Sequence, residues 1–401
     1  MIRRVVVTGI GAVTPLGIGA DTLHLAAVRG DSGIVDGVGR CRDFDAAKLL
    51  SRREAHRMDR FSQFAVVAAD EAVEQAGWAG APPVPAQRVP CVIGTAIGGL
   101  STIESQLETL RIEGAEYVSP LTVPMLMGNA AAAQLSMRYG LRGEASALVA
   151  ACSGGAQAIV AGVRAIRSGE ADAALVGGAE AAITEFTMAI FTAAGALSPS
   201  GRSVPFDRKR DGFLLGEGAG VLVLEEAEVA RARGARVLGE ILGYGVTTDA
   251  YHVTAPEPSG VAAAAAVRAA LADGGIDAGQ VAYINAHGTG TALNDSAEVN
   301  ALRAALGDAL AGIPISSTKS YLGHLIGAAG AVEAIATLQA LRHRIAPPTC
   351  GLTEPDEALG ELTHVPAALP LARSGADRVG LTNSMGFGGH NVTIAIRAWE
   401  R

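Results

Sequence analysis

The chain has 401 residues, 49% hydrophobic and 18% charged, so it can bury a large core in two or three domain-sized units and is neither a disordered chain nor a small disulfide scaffold. Aromatics make up 4%, which leaves small aliphatics to fill the interior, and 51 glycines with no third-residue period point to tight turns and close backbone approaches rather than collagen. A net charge of −8 speaks against nucleic acid as a partner.

Arg3 and Arg4 ahead of the apolar residues 5–7 imitate a signal peptide, but Gly9, Gly11 and Pro15 break the segment, and 4–8 reads as a first strand. The following TGIGAVTPLG resembles a dinucleotide fingerprint only superficially. Thr14 stands where the third glycine is required and Pro15-Leu16-Gly17 interrupts the helix, so a turn is expected there. A helix then spans 57–75 and a strand 89–94, and the apolar run 147–151 passes through Cys152 into a helix over 153–167. Strands follow at 173–178 and 220–225, and after Gly245 at 281–285, 313–316 and 392–397, with helices of similar length between them. This alternation is an α/β pattern with buried, largely parallel strands. The 243–249 segment is the expected seam between two halves, 1–245 and 246–401, that pack as one body. A weak duplication is plausible from the pattern, though no register shows in the sequence.

No apolar run reaches the ~18 residues of a membrane span, because Arg268 and Asp273 cut the alanine-rich stretch after Gly260. Cys41, Cys91, Cys152 and Cys350 form no CxxC pair, which argues against structural zinc and disulfides and fits a reducing cytoplasm. Only three of the 32 basic residues are lysines, Lys48, Lys209 and Lys319, so each is a point charge kept where arginine is the rule.

Five segments carry chemistry. Cys152 opens a helix whose first turn holds Ser153, Gly154 and Gly155; unsatisfied N–H groups there favour a thiolate, and the glycines leave room for an acyl group. A buried structural cysteine is the alternative reading. His287 ends an apolar strand and precedes Gly288-Thr289-Gly290-Thr291, a strand end of the kind where α/β sites form. Lys319 and His324 follow the next strand and could share a pocket with it; each histidine, taken singly, could equally be structural. Ser316–Lys319 matches S-x-x-K of serine acyl enzymes, but the supporting S-D-N and K-T-G elements are absent. Residues 383–391, NSMGFGGHN, make a glycine-dense bend whose N–H groups can approach a ligand, or a plain hairpin.

Together these segments resemble the β-ketoacyl-acyl-carrier-protein synthases of the elongating type, within the thiolase-like condensing enzymes. The resemblance rests on VVVTGIGAVTPLG, AACSGG, PFDRKRDGFLLGEGAG, NAHGTGT, STKSYLGHLIGAAGAVEA and GFGGHN, in that order over nearly the whole chain. It implies a five-layered α-β-α-β-α fold of two similar halves with mixed sheets, and a dimer. It further implies that Cys152 is the acylated nucleophile, that His287 and His324 support decarboxylation and condensation, and that Lys319 organises the site with Glu333. The N–H groups of Cys152 and Phe387 would form the oxyanion hole, with Phe387 also a gate. Thr289 and Thr291 would contact the phosphopantetheine arm of an acyl carrier protein, and Ile97 and Phe191 would line the acyl pocket. No metal or other cofactor is implied.

Gly154, Met385 and His390 depart from the family's usual residues, and Met385, with Leu121 and Thr122, leaves the acyl chain length and pathway open. Arg52, Arg53, Arg57 and Arg60, with His56, form a basic cluster that suits an acidic carrier or is simply a solvated helix end. The expected activity is condensation in fatty acid synthesis by a homodimer. The alternatives are a polyketide or polyene ketosynthase paired with a chain-length factor, and a non-catalytic scaffold.

Overall fold

All ten residues of β1, Val5–Thr14, are buried, a pattern that arises when a strand is covered on both faces. The computed structural model describes residues 3–371 and 378–399. After β1 the first half contributes β2 (Cys91–Thr95), β3 (Ala145–Val149), β4 (Ala173–Glu180) and β5 (Gly218–Glu226). The second contributes β6 (Gly239–Thr248), β7 (Val281–Asn285), β8 (Pro314–Ser316), β9 (Val379–Gly386) and β10 (His390–Ala398).

The hydrogen-bonded order is β3-β2-β4-β5-β1, continuing as β6-β10-β9-β7-β8. Each half therefore arranges these five strands 3-2-4-5-1 toward the centre, and in the second half the short strand Thr363–His364 adds parallel outside β8. Directions repeat as well: β2 is parallel to β3 and β4, β7 is parallel to β8 and β9, and the pairs β4/β5, β5/β1, β9/β10 and β10/β6 are antiparallel. The duplication thus acquires a register. A strand buried on both faces reads the same whichever way its neighbour runs, which is why the pattern suggested largely parallel strands where the sheets are mixed. The halves join through Val5–Val7 pairing with Gly239–Ile241, and position 245 lies inside β6.

Helices α1 (Arg60–Gln75) and α2 (Ala130–Tyr139) cover the outer face of the first sheet, and α4 (Val261–Gly274) and α5 (Ala292–Leu306) that of the second. Helices α3 (Gly154–Ser168) and α6 (Ala329–His343) pack against each other between the sheets, giving layers α-β-α-β-α. Gly9 and Gly11, the glycines of the false nucleotide motif, let α1 lie directly on β1: a β-carbon at either would stand 1.9 Å from a carbonyl of Ala72 or Ala68. Among the described residues no helix is long and apolar enough to cross a membrane.

Candidate active site

β3 ends at Val149, and Ala151 then takes a positive φ of 45°, a conformation that a residue with a β-carbon adopts at a cost. Ala151–Ser153 form one 3-10 turn that sets Cys152 at the head of α3, against a cavity of about 670 Å³. Gly154 and Gly155 do not line that cavity. A β-carbon at Gly155 would stand 2.9 Å from Ala331 N and one at Gly154 3.1 Å from Thr95 O, so Gly155 serves the close meeting of α3 with α6 and Gly154 that of α3 with the strand ends, rather than making room for an acyl group.

The second half supplies the facing groups. His287 follows β7, where Glu298 of α5 accepts the N–H groups of His287 and Gly288, both at 2.8 Å, and is itself bonded by Asn383 Nδ2 at 3.2 Å. Lys319, 1% exposed, donates from Nζ to Glu333 of α6, and Thr318 Oγ1 donates to the same carboxylate at 3.3 Å. One nitrogen from each of His287 and His324 and the sulfur of Cys152 lie within 4.8 Å of one another, with the two rings edge to face at 5.4 Å. Phe213 packs edge to face on His324 at 5.1 Å, and Phe191 joins Phe213 to Phe387.

Burial, reinforced by the Lys319 charge, holds both imidazoles well below the usual histidine range, so they are neutral at pH 7. His324 Nδ1 accepts the Ile326 N–H at 3.3 Å, which puts the ring proton on Nε2, an atom with no other partner among the described residues. The ring is thereby set as a hydrogen-bond donor. A metal ligand needs the opposite arrangement, with its second nitrogen donating outward, so this thiol-imidazole group fits a cation poorly. Burial pushes the Cys152 thiol up to about 11, against the pull of Lys319 and of the Phe387 N–H on its sulfur. Loss of solvent thus opposes the ionisation that the helix start favours.

Ile97, Phe191, Thr289, Thr291, Phe387 and Met385 all line the cavity, and the Thr289 and Thr291 hydroxyls are 3.0 Å apart. Lys319 and Glu333 stand behind it, out of the lining. Leu121 and Thr122 do not line it, and Leu121 is exposed. In the basic cluster Arg52, Arg53 and Arg57 are exposed. Arg60 differs from them in that its side chain, 36% exposed, pairs with buried Glu217 at 2.8 Å and lies over Phe64 and Phe44.

Three residues of the site escape a reading of the sequence. Glu298 is visible there only as a carboxylate one turn beyond Asp295 in an apolar helix, and Glu180 only as the acid ending a glycine-rich strand. Phe213 is visible only as one residue of the PFDRKRDGFLLGEGAG motif, with no role attached.

A mixed, duplicated α/β fold with one thiol and two imidazoles sharing a cavity defines a thiolase-like condensing enzyme. The N-terminal domain of beta-ketoacyl synthase matches residues 38–230 and its C-terminal domain residues 238–353. The chain belongs to the beta-ketoacyl synthase family. It is 42% identical to the 3-oxoacyl-[acyl-carrier-protein] synthase 2 of Synechocystis sp., over 99% of both chains. Among solved structures it is similar to the ishigamide ketosynthase/chain length factor, with a TM-score of 0.89, 34% identity and 100% of both chains covered. It is also similar to a ketosynthase bound to a hexaketide in complex with its type II polyketide acyl-carrier protein, with a TM-score of 0.88, 31% identity and 100% of both chains covered.

Proposed function

We propose that the protein is a 3-oxoacyl-acyl-carrier-protein synthase that elongates acyl chains in fatty acid synthesis. The observation that carries this reading is the convergence of Cys152, His287 and His324, from both halves, on one cavity. Cys152 Sγ attacks the thioester carbonyl of an acyl carrier, forming a carbon-sulfur bond, and the carrier thiol leaves with the proton that the cysteine gave up. The N–H groups of Cys152 and Phe387 hold the oxyanion. A malonyl carrier, its arm contacting Thr289 and Thr291, then loses carbon dioxide. The neutral rings of His287 and His324 donate hydrogen bonds to the resulting enolate. Its carbon attacks the acyl thioester, the Cys152 thiolate departs and takes up a proton, and 3-oxoacyl carrier is released. Lys319, tied to Glu333, biases the thiol toward ionisation, and Ile97 and Phe191 receive the acyl chain. No step calls on a metal or a further cofactor.

The carrier would approach over Arg52, Arg53 and Arg57, and the enzyme would work in the cytoplasm as a dimer. The outer edge of β3 is unpaired among the described residues, Val149 on that edge is 64% exposed while lining the cavity, and Met137 is exposed on α2, which packs on β3. An open edge beside apolar side chains suits a second chain. The partner is a second copy in the fatty-acid reading. In the polyketide reading, which the similarity to the ishigamide pair favours, it is a chain-length factor. A scaffold role leaves the convergent thiol and imidazoles unexplained.

Intact-mass and peptide analysis after incubation with acyl and malonyl carriers tests the reading. Acyl mass on Cys152, followed by carbon dioxide release and a 3-oxo product, is expected. Acyl mass absent from Cys152, or spread equally over Cys41, Cys91 and Cys350, would end it.

A further inference from the structure

Glu180 closes β4 and is fully buried, with no ion-pair partner among the described residues. Its Oε1 accepts from Thr95 Oγ1 at 3.0 Å and from Gly98 N–H at 3.3 Å; its Oε2 accepts from Ala96 N–H at 2.7 Å and from Gly327 N–H at 3.2 Å. Of the donors, Thr95 ends β2 and Ala96 and Gly98 belong to the loop after it, whose Ala96 and Ile97 line the cavity. The fourth belongs to the other half, to the turn after His324, where Ile326 holds a positive φ of 47° and gives its N–H to His324 Nδ1. The two segments are pressed together: a β-carbon on Gly327 would stand 2.4 Å from Ala96 N.

An anion here works against the nucleophile. The Glu180 charge raises the Cys152 thiol, the opposite of what acyl transfer asks for, and burial raises Glu180 itself to about 7. A carboxylate kept in such a place has a compensating use, and the four donors show what it is: it supplies acceptors to two loops from different halves at once, which no neutral side chain of its length does.

We propose that Glu180 is a positioning residue that fixes the His324 turn against the acyl-pocket wall, so that decarboxylation and condensation depend on its carboxylate. This inference rests on the condensing reading, and its test separates the two.

In Glu180→Gln the amide NH₂ faces N–H donors and one acceptor is lost, but the negative charge near the thiol disappears. Two opposite changes are expected. Iodoacetamide labelling of Cys152 at pH 8 should quicken about threefold or more, as the thiol pKa falls. Malonyl decarboxylation by the same protein should slow by about tenfold or more, in kcat rather than KM. Glu180→Asp keeps the charge and shortens the reach; labelling should stay at the wild-type rate while decarboxylation falls between the other two. Should labelling and decarboxylation decline together in Glu180→Gln, or decarboxylation stay within twofold of wild type, the proposal is overturned. If wild-type protein itself neither decarboxylates nor condenses, the condensing reading fails instead, and the labelling comparison identifies that case because it needs no carrier.

Discussion

The two halves share a strand order and pair directions but put different chemistry at corresponding strand ends. After its third strand the first half places the thiol of Cys152 at the head of α3, whereas the second places Lys319 and His324 ahead of α6. After its second strand the first half has Ala96 and Ile97, and the second has His287 and Thr289. After its fourth strand the first half ends on Glu180, and the second turns through Gly386 and Phe387. In the proposed function, one scaffold used twice thus separates the group that holds the electrophile from the groups that donate to it. The separation works because α3 and α6 meet head to head, bringing equivalent strand ends within reach of one small molecule.

If this division is right, the halves break differently. Cys152→Ala should abolish acylation and lower condensation by about a thousandfold or more, read as acyl mass on the protein and product formed. His287→Ala or His324→Ala should lower malonyl decarboxylation by about a hundredfold, the effect of losing one preorganised donor, while Cys152 still accepts an acyl group. A loss of both steps in the histidine variants would contradict the partition.

Together with the Phe387 N–H and Glu333, Lys319 acts on the thiol from the second half. Its charge lowers the Cys152 thiol and both imidazoles, so Lys319→Met should raise all three. With the thiol at about 11 in the wild type, labelling should climb about tenfold per pH unit from 7 to 10 with no plateau. The variant should run below that line by about tenfold throughout. The acid limb of decarboxylation should move to higher pH, because the neutral rings that donate are lost earlier as pH falls. A plateau near neutrality would restore the ionised thiol that the helix start by itself suggests.

Much of the site was legible because Cys152, His287, Lys319 and His324 are polar residues set where apolar strand runs end, beside glycines. The apolar runs also revealed where strands lie, though not their direction, since burial on both faces leaves no directional mark. What stayed hidden depends on distant partners. Glu180 matters through N–H groups remote in the chain and Glu298 through those of the turn that precedes its helix, and any buried acid in a helix or strand end looks the same in sequence. A helix start that favours the thiolate is visible in sequence, whereas the burial that raises the Cys152 thiol is not.

Arg60 shows the same limit and gives the smallest expected effect. In sequence it belongs with Arg52, Arg53 and Arg57 as one basic patch, yet it begins α1 and turns inward onto Glu217, whose side chain is only 2% exposed. Removing it strands a buried carboxylate that Cys41 N–H alone continues to bond, at 3.1 Å. Arg60→Ala should therefore lower stability by about 1–3 kcal/mol, visible as a lower Tm, with little change in KM for the carrier substrate. Charge reversal at Arg52, Arg53 and Arg57 should do the converse, leaving Tm nearly unchanged and raising that KM several-fold, most at low salt, because exposed charges steer association and are screened by ions. If Arg60→Ala instead raised KM at unchanged Tm, its guanidinium would face the carrier after all, and the first half would offer a wider docking surface than the three exposed arginines define.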